Sequence, residues 1–348
     1  MKRSFYNFKK LVVKIGSSLF SYKNTVSRLC KEISQISKSK NVVLVSSGAI
    51  FYGMKLLGLK FRPKSLNLLQ ATAAVGQSEL MNFYRRYFKA EGLNCAQILL
   101  TWDDFNQRSR YINAKNTIFS LLDMKIIPII NENDTISTEE IKFGDNDRLS
   151  SLVANMIDAN VLIILSDVEG LLDEKKQLIR VVENISPDLE KLAKSTSKFS
   201  SVGGMISKLE AANIAVNSGI YCIIADGRKK DILNKVLESP FEAGTVFLPK
   251  EKRLVARKRW IAYGTKPKGK IFVDEGAKQA LLNKKSLLAV GIIALEGDFK
   301  KGEIVSVYDT NNNEFARGRV ELEAKNLENV KGKRYPKEII HQDNLVIL

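Results

Sequence analysis

LVVKIGSS (residues 11–18) and NVVLVSSGAI (residues 41–50) have the same shape. Each is a short apolar run rich in valine and isoleucine, closed by a loop of serine and glycine. Such a run has the length and composition of a strand buried on both faces. A helix-like stretch separates the two, ending near Lys40. Outward along the chain the pattern recurs in AQILL (96–100), IIPII (126–130), VLIIL (161–165) and YCIIA (221–225). Helix-like segments lie at roughly 66–88, 110–124, 147–157 and 205–218. Strands alternating with helices predict an α/β fold: a mainly parallel sheet sandwiched by helices.

In such sheets ligands bind beyond the carboxyl ends of the strands. The residues following each apolar run are therefore the candidates: Gly16-Ser17-Ser18, Ser46-Ser47-Gly48-Ala49, Asn131-Glu132-Asn133-Asp134 and Ser166-Asp167. Generic turns would be expected to be rich in Gly, Pro and Asp. Two Ser/Gly loops and an Asn/Asp cluster suit a phosphate and a polar small molecule better. Lys14 lies inside a buried strand, where an ammonium needs a partner. An anion at the strand end would supply one, and small residues such as Gly16 let backbone N–H groups approach it. The ordinary alternative is a lysine that reaches out to solvent at a sheet edge. Gly203-Gly204 open an amphipathic segment with Lys208 about one turn inside, a natural anion site at a helix start. An exposed helical lysine is the plainer alternative.

The stretch INENDTISTEEIKFGDNDRLSSLVANMI (130–157) packs Asn131, Asn133, Asp134, Asp145, Asn146 and Asp147 around a short excursion. Asp147 could cap a helix beginning at Arg148, but capping needs only one such residue. The others could bind an α-ammonium or hold basic side chains, while Ser47 and Gly48 could take a carboxylate through hydroxyl and backbone N–H. GTKPKGK (264–270) imitates a phosphate-binding loop, but Ile271 follows it, Pro267 interrupts it and a strand rather than a helix comes next, so it is rejected.

Composition narrows the chemistry. The 348 residues include one histidine, His341, in a polar stretch near the C-terminus, which reads as a surface residue. A Ser-His-Asp triad or a His-rich zinc site is excluded, leaving Lys, Asp, Asn, Ser and backbone groups. Cys30, Cys95 and Cys222 are too scattered for a metal motif and read as small apolar residues. No apolar run approaches the ~18–20 residues of a membrane span, and no signal-peptide pattern is visible. A reducing cytoplasm is the expected setting. The net charge is +17, with excess in the first ten residues and in KEKRLVARKR (250–259). That keeps nucleic acid in view, against the simpler reading of a solvated, lysine-rich surface.

Beyond 250 the pattern changes to short alternating runs: GKIFVDEG (269–276), SLLAVGIIALEG (286–297), GEIVSVYD (302–309), FARGRVEL (315–322) and NLVIL (344–348). The expected organisation is an α/β domain over 1–250, a basic linker over 251–265 and a small β-rich domain over 266–348, with one helix near 277–282.

Taken together and in order, VVKIGSS (12–18), VSSGAI (45–50), AAVGQSEL (73–80), QILLTWDDF (97–105), INENDT (130–135), KFGDNDRLS (142–150), SDVEGL (166–171) and GGMISKLEAA (203–212) closely resemble the glutamate 5-kinases of the amino acid kinase family. RKRWI (257–261) and IFVDEGAKQALL (271–282) resemble their C-terminal PUA domain. The resemblance implies ATP-dependent phosphorylation of the γ-carboxylate of L-glutamate to L-glutamyl 5-phosphate, the first step of proline biosynthesis. By motif position, Lys14 and Lys208 would stabilise the transferring phosphoryl group, with Asp147 orienting them. Ser47, Asp134 and Asn146 would bind glutamate, with Gly48, Asn131 and Asp145 close by. Lys14, Gly16, Ser166, Asp167 and the run Val202, Gly203, Gly204, Met205, Ile206, Ser207 and Lys208 would contact ATP carrying Mg2+, with no metal site on the protein itself. Feedback inhibition by proline and a homo-oligomer, dimer or tetramer, are also implied. Two departures stand out: Ser166 where the family often has Thr, and Ser201-Val202 where it often has Gly-Thr, which removes a hydroxyl from the nucleotide loop. The competing expectations are another kinase of the same family, acting on aspartate, acetylglutamate, carbamate or UMP, and an RNA-binding protein acting through the PUA-like domain.

Overall fold

The structure, a computed structural model, describes residues 5, 7–136, 146–196, 204–250, 256–265 and 267–348. The chain divides into two compact units, Met1–Arg253 and Leu254–Leu348.

In the first unit the apolar runs become the strands β1 (Lys10–Ile15), β2 (Asn41–Ser46), β3 (Cys95–Leu100), β4 (Ile127–Glu132), β5 (Val161–Ser166), β6 (Val181–Val182), β7 (Tyr221–Asp226) and β8 (Gly244–Phe247). The helices are α1 (Thr25–Ser37), α2 (Ala49–Leu56), α3 (Leu66–Ala90), α4 (Trp102–Asn106), α5 (Arg108–Asp123), α6 (Asn146–Met156), α7 (Pro187–Thr196), α8 (Met205–Asn217), α9 (Ile232–Glu238) and α10 (Pro240–Ala243). The eight strands form one sheet in the order β3-β4-β2-β1-β5-β7-β8-β6. All neighbours run parallel except β7 and β8. Pro128 sits inside this sheet, where it lacks a ladder N–H. Its strand pairs with β2 only beyond it, at Ile129 and Ile130.

Side chains alternate across a strand, and β1 shows what that does. Leu11, Val13 and Ile15 enter a core with Leu29 and Ile33 of α1, Leu80 and Tyr84 of α3, and Leu233 of α9. Val12 and Lys14 therefore face the other side. There α6 lies across β1, β2, β4 and β5, and α8 packs on α6. Both faces of the sheet are thus covered, and every residue of α6 except the half-buried Arg148 is buried. The crossing of α2 and α3 is close. A Cβ on Gly53 would lie 1.8 Å from the Thr72 carbonyl oxygen, and one on Gly76 would lie 1.9 Å from that of Ala49.

The second unit holds a five-stranded sheet. Its strands are β9 (Lys270–Val273), β10 (Ile292–Glu296), β11 (Ile304–Tyr308), β12 (Glu314–Arg319) and β13 (Leu345–Ile347), in the order β10-β9-β11-β12-β13. The pair β9 and β11 is parallel and the others antiparallel. Its core gathers Ile271, Val273, Leu281, Phe299, Val305 and Val307. The expected helix is present as α12 (Glu275–Leu282), capped by the Asp274 carboxylate accepting from the Ala277 N–H at 2.7 Å. Two helices were not expected: α11 (Ala256–Tyr263) and α13 (Ala324–Val330). The first lies within the stretch read as a linker. Trp260, Ile261 and Ala262 are buried there, and Arg317 donates to the Ala262 carbonyl at 2.7 Å. The surrounding basic residues had masked that short apolar face. Among the described residues, no helix is long and apolar enough to cross a membrane.

Candidate active site

The carboxyl edge of the sheet gathers the sequence candidates around α6. Lys14 is only 5% exposed and does not reach out to solvent. Its Nζ pairs with Oδ1 of Asp147. Lys208, in the first turn of α8 and also 5% exposed, places its Nζ 3.2 Å from Asp147 Oδ2. Ser207 Oγ donates to the same oxygen at 2.8 Å. Asp147 itself is 1% exposed. Burial alone would raise its pKa, but the two ammonium charges and the hydrogen bonds from Lys14 and Ser207 outweigh burial and hold the carboxyl well below the usual range. The helix begins at Asn146, two positions before the Arg148 start that a cap at Asp147 would give. The Asp147 carboxylate is engaged with both lysines and with Ser207.

Asn146 joins the carboxyl ends of two strands, β2 and β4. Its Nδ2 lies 3.1 Å from the Ser46 carbonyl, 3.0 Å from Ser47 Oγ and 2.9 Å from Asn131 Oδ1. Ser47 Oγ accepts from this amide, so its own O–H is directed elsewhere. The Ser47 N–H donates to the Ile15 carbonyl at 3.1 Å, tying the β2 loop to the end of β1. Gly48 has φ +117°, and a Cβ there would lie 2.8 Å from the Phe20 ring. Glycine is required on both counts. Asp134 lies on the turn after β4, half-buried and within electrostatic reach of Arg62.

On the other flank of β1, Ser166 ends β5 and is buried, and its Oγ has no hydrogen-bond partner among the described residues. Asp167 accepts from Ser18 Oγ at 3.0 Å. The Gly16 N–H donates to the Leu165 carbonyl at 2.9 Å, and a Cβ on Gly16 would come within 3.2 Å of that oxygen. Gly204 precedes α8, where Met205 is half-buried and Ile206 exposed. Asp145, Val202 and Gly203 lie outside the described residues. Among the described residues, no group of His, Cys, Asp and Glu could hold a metal ion.

Sequence reasoning missed several supports of this edge. Gln77 Oε1 accepts from Asn131 Nδ2 at 2.7 Å. Tyr84, fully buried, has its hydroxyl 2.7 Å from Ser46 Oγ. The Arg148 guanidinium stacks 4.3 Å from the centroid of the Trp102 ring. Gln77 and Tyr84 sit in the long helix α3, where a polar or aromatic residue carries no signal of its own. Only Gly76, next to Gln77, hints at a close approach.

A sheet with two lysines meeting over one carboxylate at its carboxyl edge fits a phosphotransferase. The family model for "Amino acid kinase family" matches residues 9–226, and that for "PUA domain" matches 269–341. Glutamate 5-kinase of Thermoanaerobacter sp. (strain X514) is 40% identical over 364 residues, covering 97% of this chain and 98% of that protein. Glutamate 5-kinase of Methylobacillus flagellatus is 43% identical over 369 residues, covering 98% of each. The chain belongs to the amino acid kinase family and, within it, to the glutamate 5-kinases with a C-terminal PUA domain. A solved structure, N-acetylglutamate synthase from Neisseria gonorrhoeae complexed with coenzyme A and N-acetyl-glutamate, has a TM-score of 0.51 at 13% identity. That likeness covers 70% of this chain and 60% of the other, and it is one of fold alone.

Proposed function

We propose that this protein transfers the γ-phosphoryl group of ATP to the γ-carboxylate of L-glutamate, giving L-glutamyl 5-phosphate, the first intermediate of proline biosynthesis. Full-length likeness to glutamate 5-kinases supports the reaction. The single structural observation that carries it is the sharing of Asp147 between Lys14 and Lys208.

The chemistry asks little of the protein in proton transfer. A side-chain carboxylate is already ionised at neutral pH, so the nucleophile needs no general base. Phosphoryl transfer then depends on positioning and on stabilising charge that builds on the phosphoryl oxygens. In this reading Asp147 anchors both ammonium groups. An ammonium has three N–H donors and a carboxylate oxygen takes one of them. Lys14 and Lys208 then stabilise the phosphoryl group in flight. The Ser47 hydroxyl and the Gly48 N–H receive glutamate together with Asn146 and Asp134, with Asn131 and Asp145 beside them. Ser166, Asp167, Gly16 and the stretch Val202–Lys208 hold the nucleotide. Both oxygens of Asp147 are taken up by the lysines and Ser207, which suits Mg2+ carried on the nucleotide phosphates rather than on this carboxylate. Bound there, the ion would add positive charge at those phosphates. Proline as a feedback inhibitor at the glutamate pocket, a homo-oligomeric enzyme and a cytoplasmic setting belong to the same reading.

Trapping acyl phosphate as its hydroxamate, with glutamate and MgATP, tests the proposal. Product with glutamate that is suppressed by added proline is expected. Turnover only with aspartate, acetylglutamate, carbamate or UMP would overturn the substrate assignment.

A further inference from the structure

The amides next to Ser47 have their orientations forced in sequence. The Glu132 N–H can only donate, and it lies 2.9 Å from the Asn131 side chain, which must present Oδ1 there. Asn146 Nδ2 reaches that same oxygen at 2.9 Å. Asn131 Nδ2 therefore faces Gln77 at 2.7 Å, and Gln77 must answer with Oε1. What remains is Gln77 Nε2, an amide donor that is buried and without a hydrogen-bond partner among the described residues. Buried donors are rarely left unmade, because desolvation is then uncompensated. A bound substrate would supply the acceptor that Gln77 Nε2 lacks among the described residues.

We propose that Gln77 is a substrate-binding, specificity-determining residue whose Nε2 donates to the α-carboxylate of the acidic amino acid. The inference rests on the glutamate kinase reading above. The order of side chains sets which end of the substrate it meets. Asp147, which holds the phosphoryl-stabilising lysines, is followed by Asn146, then Asn131, then Gln77, each joined to the next by sequence adjacency or a hydrogen bond. Two side chains, Asn146 and Asn131, thus stand between Gln77 and Asp147. Gln77 meets the end of glutamate that is not phosphorylated. The bound carboxylate oxygen supplies the acceptor that Nε2 lacks, and a substrate without that carboxylate leaves the donor unmade. Discrimination of this kind comes from a site polar group left unpaired by the wrong ligand.

Gln77→Glu separates donor from acceptor. It keeps an oxygen for Asn131 but removes the N–H and sets a negative charge where the substrate carboxylate would bind. Initial rates with full-length protein are measured for glutamate, for ATP and for 4-aminobutyrate, which retains the reacting carboxylate but lacks the α-carboxylate. The expected result is a KM for glutamate raised about tenfold or more, a KM for ATP within about twofold of wild type and a reduced preference for glutamate over 4-aminobutyrate. If Gln77 only braces Asn131, Gln77→Glu leaves the glutamate KM and the preference unchanged, and the proposal falls. Should Gln77→Glu fail to fold, as judged by thermal unfolding, Gln77→Met carries the same test through the preference ratio: a reduced ratio supports the assignment and an unchanged one overturns it. Wild type that makes no acyl phosphate from glutamate would instead sink the underlying kinase reading.

Discussion

Lys208 Nζ lies 3.2 Å from Asp147 Oδ2, with both side chains almost wholly buried. Lys14 occupies the other oxygen of the same carboxylate. The first ammonium comes from a central strand and the second from a helix start, and α6 supplies the anion that fixes their separation. Breaking any one contact therefore moves charge at the proposed phosphoryl position.

Lys208→Ala is expected to lower kcat by about 10²-fold or more, as loss of a preorganised donor does, with the KM for glutamate little changed. Steady-state hydroxamate kinetics decide it. Near-normal kcat would remove Lys208 from its proposed role.

Asp147→Asn leaves two buried ammonium groups facing a neutral amide, which costs about 3–5 kcal/mol in comparable buried pairs. The pH dependence has a definite sign. The folded carboxyl is held below its ordinary value of 3.8, so its contribution is complete above that pH and is lost as pH falls through the depressed folded value. Urea unfolding of wild type and Asp147→Asn should show a constant stability gap between about pH 5 and 8, closing below about pH 4. A gap that widened on acidification would contradict this picture.

Gly76→Ala puts a methyl group 1.9 Å from the Ala49 carbonyl oxygen, so α2 and α3 must separate. Overpacking of this kind costs about 1–3 kcal/mol. Because α2 begins directly after Gly48, a lower Tm should come with a higher KM for glutamate and an unaltered KM for ATP. Calorimetry and kinetics on one preparation check both.

Tyr84→Phe removes a hydroxyl from Ser46. Ser46 Oγ donates to the Ser47 carbonyl at 2.7 Å, so Tyr84 is the donor in their 2.7 Å contact. The change leaves an acceptor unmet at the base of the Ser47 loop and should cost about 1 kcal/mol. A severalfold higher KM for glutamate with unchanged kcat is expected; equal effects on both substrates would argue for general loosening.

The alternation of β-branched runs and helical segments was enough to specify β1, β2, β4, β5 and β7, because strands buried on both faces have no polar face to break the run; β3, at the sheet edge and only partly buried, was legible from its apolar composition alone. Lys14 was legible for the opposite reason, as a charge where charge is expensive. Its partner was not. Asp147 looked like a helix cap, since a short acidic residue near a helix start serves both purposes in a linear string. Gln77 gave still less, because a polar residue within α3 resembles any other until Asn131 arrives from β4.

The amino-acid sequence by itself determined the layered α/β architecture, the small and polar loops that close its strands and the change to a second, β-rich unit, since these follow from local periodicity and composition. Tertiary structure alone decided that β1 lies between β2 and β5, that Lys14 and Lys208 converge on one carboxylate, and that Trp260 and Ile261 are buried in a basic segment. The physical reason is that strand order and side-chain convergence are set by which faces pack together, and pairings between distant residues leave no periodic trace along the chain.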